Sequence, residues 1–487
     1  MPHLAFEILV LVALAAPSAT GDEPTRQEKP PTPLDVVSAL ETALGDAIAR
    51  AESSVVAIAR EKDGKSEVTT AVRGRMAPLT PPQDQPVVIG GFGMLDDPEG
   101  PNYLASDFGS GVVIGDKGEI LTTFHVVKGA SRLVVRSPSG KVFDAEVLAA
   151  DPRSDLAVIV PRVVAGSPRP VLKPIAIGDG TKLRKGMFLV ALGNPFNAGR
   201  DGKASASWGI LANLARRIDS PQIEAQFRQL RHYPTMLQLD AKLNLGMAGG
   251  AVINLKGEMV GLTTNAANVG GFDAQAGYAL PMDTLTRRAI EALKQGKEVE
   301  YGFLGVQLSL ENTNQIKDVI PGTPAGEGGL MPGDVVVSIG GLPVVDADSL
   351  VMSVNAFAPG EPISVRARRN GVEIEKTVVL SKLPIKGEVI ATNRPLSWRG
   401  IRVDFVSINP NVQYGPDILK AMAQGGVLVI EVQPGSAAAD AGIKVGQIIV
   451  RIEGQPIKTP ADFANAVEGI RGSVSLTIEG DRVIPVR

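Results

Sequence analysis

No cysteine occurs among the 487 residues, so neither a disulfide nor a thiolate metal site can support the fold, and a thiol nucleophile is excluded. Histidine is nearly as scarce. His3, His125 and His232 are the only three, too few for a histidine-rich metal centre, and no motif implies an organic cofactor. Neither sign of charge is in excess: Lys+Arg 49 against Asp+Glu 52 gives a net charge of −3, which offers no electrostatic case for nucleic acid or an anionic membrane. Aromatic residues make up only 4%.

What is abundant is glycine (54) and proline (36), beside 44% hydrophobic residues. That balance favours many short strands joined by turns, hence all-β or β-rich modules, and the length suits roughly three domains at about 150 residues each.

The N-terminus, MPHLAFEILVLVALAAPSATGDEP, has a short apolar run to Ala16 followed by small residues. It resembles a secretory signal over residues 1–21, cut near Ser18 to Gly21, although no Lys or Arg precedes the run and Glu7 interrupts it. The run is shorter than the roughly 20 apolar residues of a spanning helix, so export is expected over a membrane anchor. Residues 22–34 are Pro-rich and charged and are expected to be a disordered spacer. Apolar residues then recur at helical spacing from Val36 to Ile48 and give way to the β-branched SSVVAIA, the expected first strand.

From Gly109 to about Gln295 strand follows strand, with hairpin signals at DKG, PSG and LKG, and the helix MDTLTRRAIEALKQGK closes the unit. Residues 61–106 lack any sustained period and read as a long inserted loop. Beyond the helix the chain repeats itself. Pro321 and Pro434, Gly329 and Gly442, Gly333 and Gly446, and Pro343 and Pro456 all lie 113 positions apart, so two copies of one small module fill the C-terminal part. SKLPIKGEVIATNRPLS between them reads as a linker.

Chemistry is concentrated in three strings met in order: His125 in ILTTFHVV, Asp155 in DPRSDLAVI, and the turn GMAGG within LDAKLNLGMAGGAVINLKGEMVGL. Histidine, aspartate and a glycine-rich nucleophile turn, in that order, is the sequence of chymotrypsin-like hydrolases. His232, in RQLRHYPT, reads as a surface or interface residue.

With GSGVVI, ALGNPF and FLGV added to these strings, the chain resembles the HtrA/Deg family over roughly residues 35–487. The resemblance implies a mainly β protein: a trypsin-like double β-barrel over 35–298, then two PDZ domains, 299–383 and 397–487, joined by a linker at 384–396. It makes His125 the base, Asp155 its orienter and Ala248 the occupant of the nucleophile position. Where the family favours P-G-N-S-G-G this chain reads Leu245, Gly246, Met247, Ala248, Gly249, Gly250.

A methyl group has no proton for a base to take, and no Ser, Thr or Cys lies between Ala241 and Leu262 to replace it. The oxyanion hole, assigned to Gly246, Met247 and Ala248, uses main-chain N–H groups and does not need the hydroxyl. The resemblance further implies peptide binding at Phe303, Leu304, Gly305 and Val306 in the first PDZ module and at Trp398, Arg399, Gly400 and Ile401 in the second. Arg399 there replaces an apolar residue and could either meet a carboxylate or spoil the pocket. Gly305 and Gly400 are 95 positions apart while later landmarks differ by 113, which places an 18-residue insertion within 404–426.

The expected function is that of an exported pseudoprotease that binds unfolded or C-terminal polypeptide segments in envelope protein quality control and, as the family does, forms homo-oligomers. The alternatives are an active serine endopeptidase of the same type and a regulatory partner of an active paralogue.

Overall fold

The computed structural model describes residues 31–61, 107–163, 165–166, 168–194, 202–216, 236–264, 277–308, 313–385, 388–408 and 425–487. The signal-like segment, most of the spacer, nearly all of 61–106, His232 and most of the second-module insertion lie outside the described residues. Among the described residues no helix is long and apolar enough to cross a membrane.

Helix α1 (Pro33–Ala51) leads through a 3₁₀ turn into β1 (Val55–Glu61). Five strands follow: β2 (Asp107–Val113), β3 (Ile120–Thr123), β4 (Arg132–Arg136), β5 (Val142–Asp151) and β6 (Leu156–Pro161). They run in the order β5-β4-β1-β2-β3-β6 and close through a β5–β6 pairing. Strands β7 (Phe188–Gly193), β8 (Ser205–Arg216), β9 (Met236–Leu239), β10 (Ala251–Ile253), β11 (Met259–Thr264) and β12 (Gly277–Pro281) form a second closed barrel. DKG, PSG and LKG fall at the β2–β3, β4–β5 and β10–β11 hairpins, where tight turns suit the twist of paired strands.

Each barrel has its own apolar filling, one around Ile58, Ile120 and Ile159 and the other around Leu189, Leu211 and Leu237. A third cluster joins the barrels to helix α3 (Thr284–Lys294), whose Asp283 caps its N-terminus by accepting from the Thr286 N–H. A short helix, α2 (Phe124–Val127), follows β3 and carries His125. Tyr301, fully buried, belongs to the same joining cluster, so the first C-terminal module grows directly out of the barrel core.

That module contains β13 (Gly302–Phe303), β14 (Val306–Leu308), β15 (Ile316–Val319), α4 (Pro324–Glu327), β16 (Val335–Ile339), β17 (Leu342–Pro343), α5 (Ala347–Asn355), β18 (Pro362–Arg369), β19 (Val372–Val379) and β20 (Ser381–Lys382). The segment that reads as a linker supplies β21 (Ile390–Ala391), which pairs antiparallel with Ala149 and Ala150 of β5. It covers a strand edge that would otherwise offer free N–H and C=O groups. The second module has β22 (Ile401–Phe405), β23 (Val427–Val432), α6 (Ala437–Asp440), β24 (Ile448–Ile452), β25 (Gln455–Pro456), α7 (Pro460–Val467), β26 (Val474–Ile478) and β27 (Arg482–Val486). In its sheet β22 lies at one end and pairs with β23.

Candidate functional site

The DPRSD turn after β5 is built around Asp151, which is fully buried. Its carboxylate accepts from Ser154 Oγ at 2.6 Å, from the N–H groups of Ser154 and Arg153 at 3.0 and 3.3 Å, and from Tyr301 Oη at 2.5 Å. Burial is the largest influence on Asp151 and pushes its pKa up, against the bonds from Ser154, Tyr301 and Arg153 that favour the charge. The turn delivers Asp155 in a left-handed conformation (φ 56°), a region that aspartate tolerates better than most residues.

Held this way, Asp155 makes three contacts with α2. Its carbonyl accepts from the Phe124 N–H at 2.9 Å, Oδ1 accepts from the His125 N–H at 2.9 Å, and Oδ2 lies 2.8 Å from His125 Nδ1. An acceptor at Nδ1 keeps the proton there and leaves Nε2 as the basic nitrogen. Asp155 is 4% exposed, whereas the imidazole is only partly buried, so the ring's outer edge reaches solvent. Arg60 fixes the same helix from below by donating to the His125 and Lys128 carbonyls at 2.8 and 3.1 Å.

The glycine-rich turn approaches from the other barrel. Ala248 shares an apolar cluster with Phe124 and Val126, and its carbonyl accepts from the Ser110 N–H at 2.8 Å. A side-chain carbon on Gly109 would lie 2.6 Å from Val126 and 3.4 Å from the Ala248 carbonyl, so the histidine helix and this turn flank one point of β2. Ser110 Oγ accepts from the Asn194 N–H at 2.8 Å and donates to the Gly246 carbonyl at 2.7 Å. The Met247 carbonyl accepts from the Gly250 N–H at 3.0 Å and from Thr263 Oγ1.

Because a peptide is planar and trans, the Ala248 N–H points away from the side held by Thr263. Among the described residues, neither it nor the Gly246 N–H has an acceptor, while the Met247 N–H donates to the Asn244 carbonyl at 3.1 Å. Gly249 admits no larger residue: an added carbon would sit 2.2 Å from the Ser110 carbonyl, at φ +81°. Met247 is buried and its sulfur accepts from the Asn244 N–H at 3.4 Å, whereas Leu245 is 44% exposed.

Sequence reasoning alone does not reach the pins of this site, Ser110, Thr263, Asp151 and Arg60. Ser110 sits in the GSGVVI string, the one signal that could have drawn attention to it.

In the first C-terminal module, Phe303 pairs with Ser381 across the β13–β20 ladder, Leu304 is buried, and Gly305 takes φ +83° against Thr323. Strand β14 pairs only with β15 among the described strands. In the second module Trp398 and Ile401 exchange two hydrogen bonds, at 2.9 and 2.8 Å, across Arg399 and Gly400. The Arg399 guanidinium donates to the carbonyls of Val486 at 2.6 Å, Gly472 at 2.5 Å and Ile470 at 3.3 Å, and lies over the Trp398 ring. Neither use expected of Arg399 from sequence includes this attachment to the module's own backbone.

Residues 109–262 match the trypsin-like peptidase domain, and residues 302–380 and 428–480 each match a PDZ domain. A probable periplasmic serine endoprotease, DegP-like, from Brucella suis biovar 1 (strain 1330) is 30% identical over 374 residues, covering 74% of this chain and 68% of its own. The periplasmic serine endoprotease DegP of Escherichia coli (strain K12) is 28% identical over 419 residues, 83% of this chain and 81% of that one. Among solved structures, the HtrA-type protease AlgW with tripeptide is 24% identical, with a TM-score of 0.49, over 70% of this chain and 97% of that chain.

Proposed function

Because this chain belongs to the HtrA/DegP family of trypsin-fold proteins with two PDZ domains, we propose that it is an exported pseudoprotease that holds unfolded or C-terminal polypeptide segments without cutting them. The observation that carries this reading is Ala248 in the turn beside an intact His125–Asp155 pair. The covalent route needs an attacking hydroxyl or thiol from which a carboxylate-oriented imidazole takes the proton, and the methyl group of Ala248 offers none. Loss of a triad serine costs on the order of 10⁶ in kcat, with binding and the oxyanion donors supplying what remains.

Those donors support retention of a peptide. The N–H groups of Gly246 and Ala248 are the pair that would receive a carbonyl oxygen, and the bonds from Ser110 and Thr263 hold the peptide units on either side of Met247. The relatives named periplasmic, and the signal-like N-terminus, support export to the cell envelope. Assembly into homo-oligomers is part of the same reading, on family grounds.

The test is digestion of an unfolded casein-type substrate by the unchanged protein, by Ala248→Ser and by Ala248→Ser with His125→Ala. An inert natural protein whose Ala248→Ser variant cuts in a His125-dependent way supports a site that lost only its nucleophile. Cutting by the natural protein that disappears in a His125→Ala variant of it, run as a fourth sample, overturns the reading.

A further inference from the structure

We infer that Thr123 is a second block on this site: its hydroxyl engages His125 Nε2, the basic nitrogen that a nucleophile at position 248 would need. This rests on the reading of a site that has lost its serine, and adds a restraint on the base that the missing serine does not itself supply.

Thr123 ends β3 and stands at the N-cap of α2, with extended backbone (φ −88°, ψ 148°). A threonine at that position ordinarily turns its hydroxyl toward the first free N–H groups of the helix. Here it makes no such bond. Asp155 caps the helix in its place: Oδ1 accepts from the His125 N–H at 2.9 Å and the carbonyl from the Phe124 N–H at 2.9 Å.

Released from capping, the Thr123 hydroxyl lies 3.4 Å from His125 Nε2. The other side of the ring decides the direction of this bond. Asp155 Oδ2, 2.8 Å from Nδ1, keeps the proton of the neutral imidazole on Nδ1, so Nε2 carries a lone pair and Thr123 is the donor.

The sheet holds both partners of the ring in register. Thr123 pairs with Leu156, the residue after Asp155, so the groups at Nδ1 and Nε2 come from neighbouring positions of one ladder. Thr122 turns to the opposite face, as alternation along a strand requires, and donates to the Ser110 carbonyl at 2.7 Å. A β-branched side chain is stiff at χ1, so the Thr123 hydroxyl does not swing freely away.

Burial gives the contact its consequence. Thr123 is 0% exposed, while the imidazole is 20% exposed. A hydroxyl shut off from water keeps its partner, because leaving a buried donor unmade carries the full cost of desolvation. The same burial bars Thr123 from meeting a substrate carbonyl, so it does not replace the serine as nucleophile. An acceptor nitrogen of imidazole has one lone pair, and a serine restored at position 248 would compete with Thr123 for it. The bond is long, so the block is partial and corresponds to about three- to tenfold in rate, the range of an ordinary net hydrogen bond.

Full-length protein labelled with heavy nitrogen at histidine alone carries three imidazoles, and His125→Gln assigns the one of interest. At a pH where the ring is neutral, the Nε2 resonance of the unsubstituted protein should lie upfield of a free imine nitrogen. It should move downfield in Thr123→Val, which removes the donor and keeps the shape, and hold its place in Thr123→Ser. In an Ala248→Ser background, digestion of an unfolded casein-type substrate should show kcat raised about three- to tenfold by Thr123→Val, with KM little changed and no gain from Thr123→Ser. A purely structural role for Thr123 would instead lower cutting.

An Nε2 signal at the free position in the unsubstituted protein overturns the inference without any variant having to fold. So does an unchanged or lowered kcat when Thr123→Val is added to an active Ala248→Ser protein. If no Ala248→Ser protein cuts, yet the signal moves as expected, the block at Nε2 stands and the reading of a site lacking only its nucleophile falls.

Discussion

The phenol of Tyr301 donates to Asp151 Oδ2 at 2.5 Å, a contact that spans 150 positions of sequence. It ties the residue from which the first PDZ module begins to the turn that carries Asp155 four positions later. Arg153, in the same turn, lies with its guanidinium 4.7 Å from the centre of the Tyr301 ring.

Tyr301→Phe keeps the ring and removes one donor to a buried carboxylate. It is expected to cost about 1.5–3 kcal/mol at pH 7, read from urea unfolding. Burial already raises the pKa of Asp151, so its folded value lies above its unfolded one and its contribution declines as pH rises through that interval. Losing a donor to the charged form raises the folded value further. The gap between parent and variant should therefore widen with pH and be smallest in acid; a gap that is constant with pH would mean that the hydroxyl does not serve the carboxylate.

Gly249→Ala tests whether the nucleophile turn is as tightly seated as its contacts imply. The added carbon meets the Ser110 carbonyl at 2.2 Å and Thr122 Oγ1 at 2.4 Å, both of them main chain or short side chain with little room to retreat. A loss on the order of 3 kcal/mol is expected, combining overpacking with left-handed strain. In an Ala248→Ser background the same change should abolish any restored cutting, assayed on unfolded casein. Full retention of that cutting would show that the turn can move without consequence.

Arg369 and Asp334 form a bidentate pair in the first PDZ module, Nε to Oδ1 at 2.7 Å and the second nitrogen to Oδ2 at 2.8 Å. Burial works to raise the Asp334 pKa, but the bonds from Arg369 and from the Met331 N–H outweigh it and the net shift is downward. A lowered folded value means that the stabilisation is present above the unfolded pKa of about 3.9 and is lost as pH falls through the folded one. Arg369→Met leaves the Asp334 carboxylate, whose side chain is buried, without its cation and should lower stability at pH 7. Urea midpoints at pH 7 and pH 3 should show the gap narrowing in acid.

Much of this architecture is written locally. Period-two apolar strings, turn glycines and the 113-residue repeat are properties of neighbouring residues or of self-comparison, and they point to barrels and paired modules without knowledge of contacts. His125 and Asp155 are legible for the same reason: each sits in a short diagnostic string. Ser110 and Tyr301 are not, because their importance lies in partners 136 and 150 positions away. The segment containing Ile390 and Ala391 reads as a linker from its proline and charge, yet it pairs with β5 because an uncovered strand edge accepts any short extended stretch brought to it. Arg399 shows the limit most clearly, since its side chain is committed to carbonyls 71 to 87 positions further along the chain.

Lys382 joins the two PDZ modules. Its ammonium, 3% exposed, lies 2.7 Å from Asp404 on β22, 3.0 Å from Glu298 and 3.1 Å from Glu300. Burial opposes its charge, but Asp404, Glu298 and Glu300 prevail and hold its pKa above the ordinary lysine value. One cation shared among three carboxylates leaves Glu298 under-compensated, and burial pushes its pKa up. The fold therefore favours neutral Glu298, and its contribution falls as pH climbs from the unfolded value through the folded one. Glu298→Gln should be neutral to slightly stabilising at pH 7, with the difference vanishing in acid, because Lys382 keeps two partners. Lys382→Met strands three carboxylates and should cost roughly 2–3 kcal/mol at pH 7, less than a fully buried pair because Glu298 and Glu300 retain contact with water. Urea midpoints and limited proteolysis between the modules at pH 4 and pH 7 separate the two outcomes. Equal destabilisation by both substitutions would mean that the lysine needs every carboxylate, and that the cluster is balanced where its geometry makes it over-supplied with negative charge.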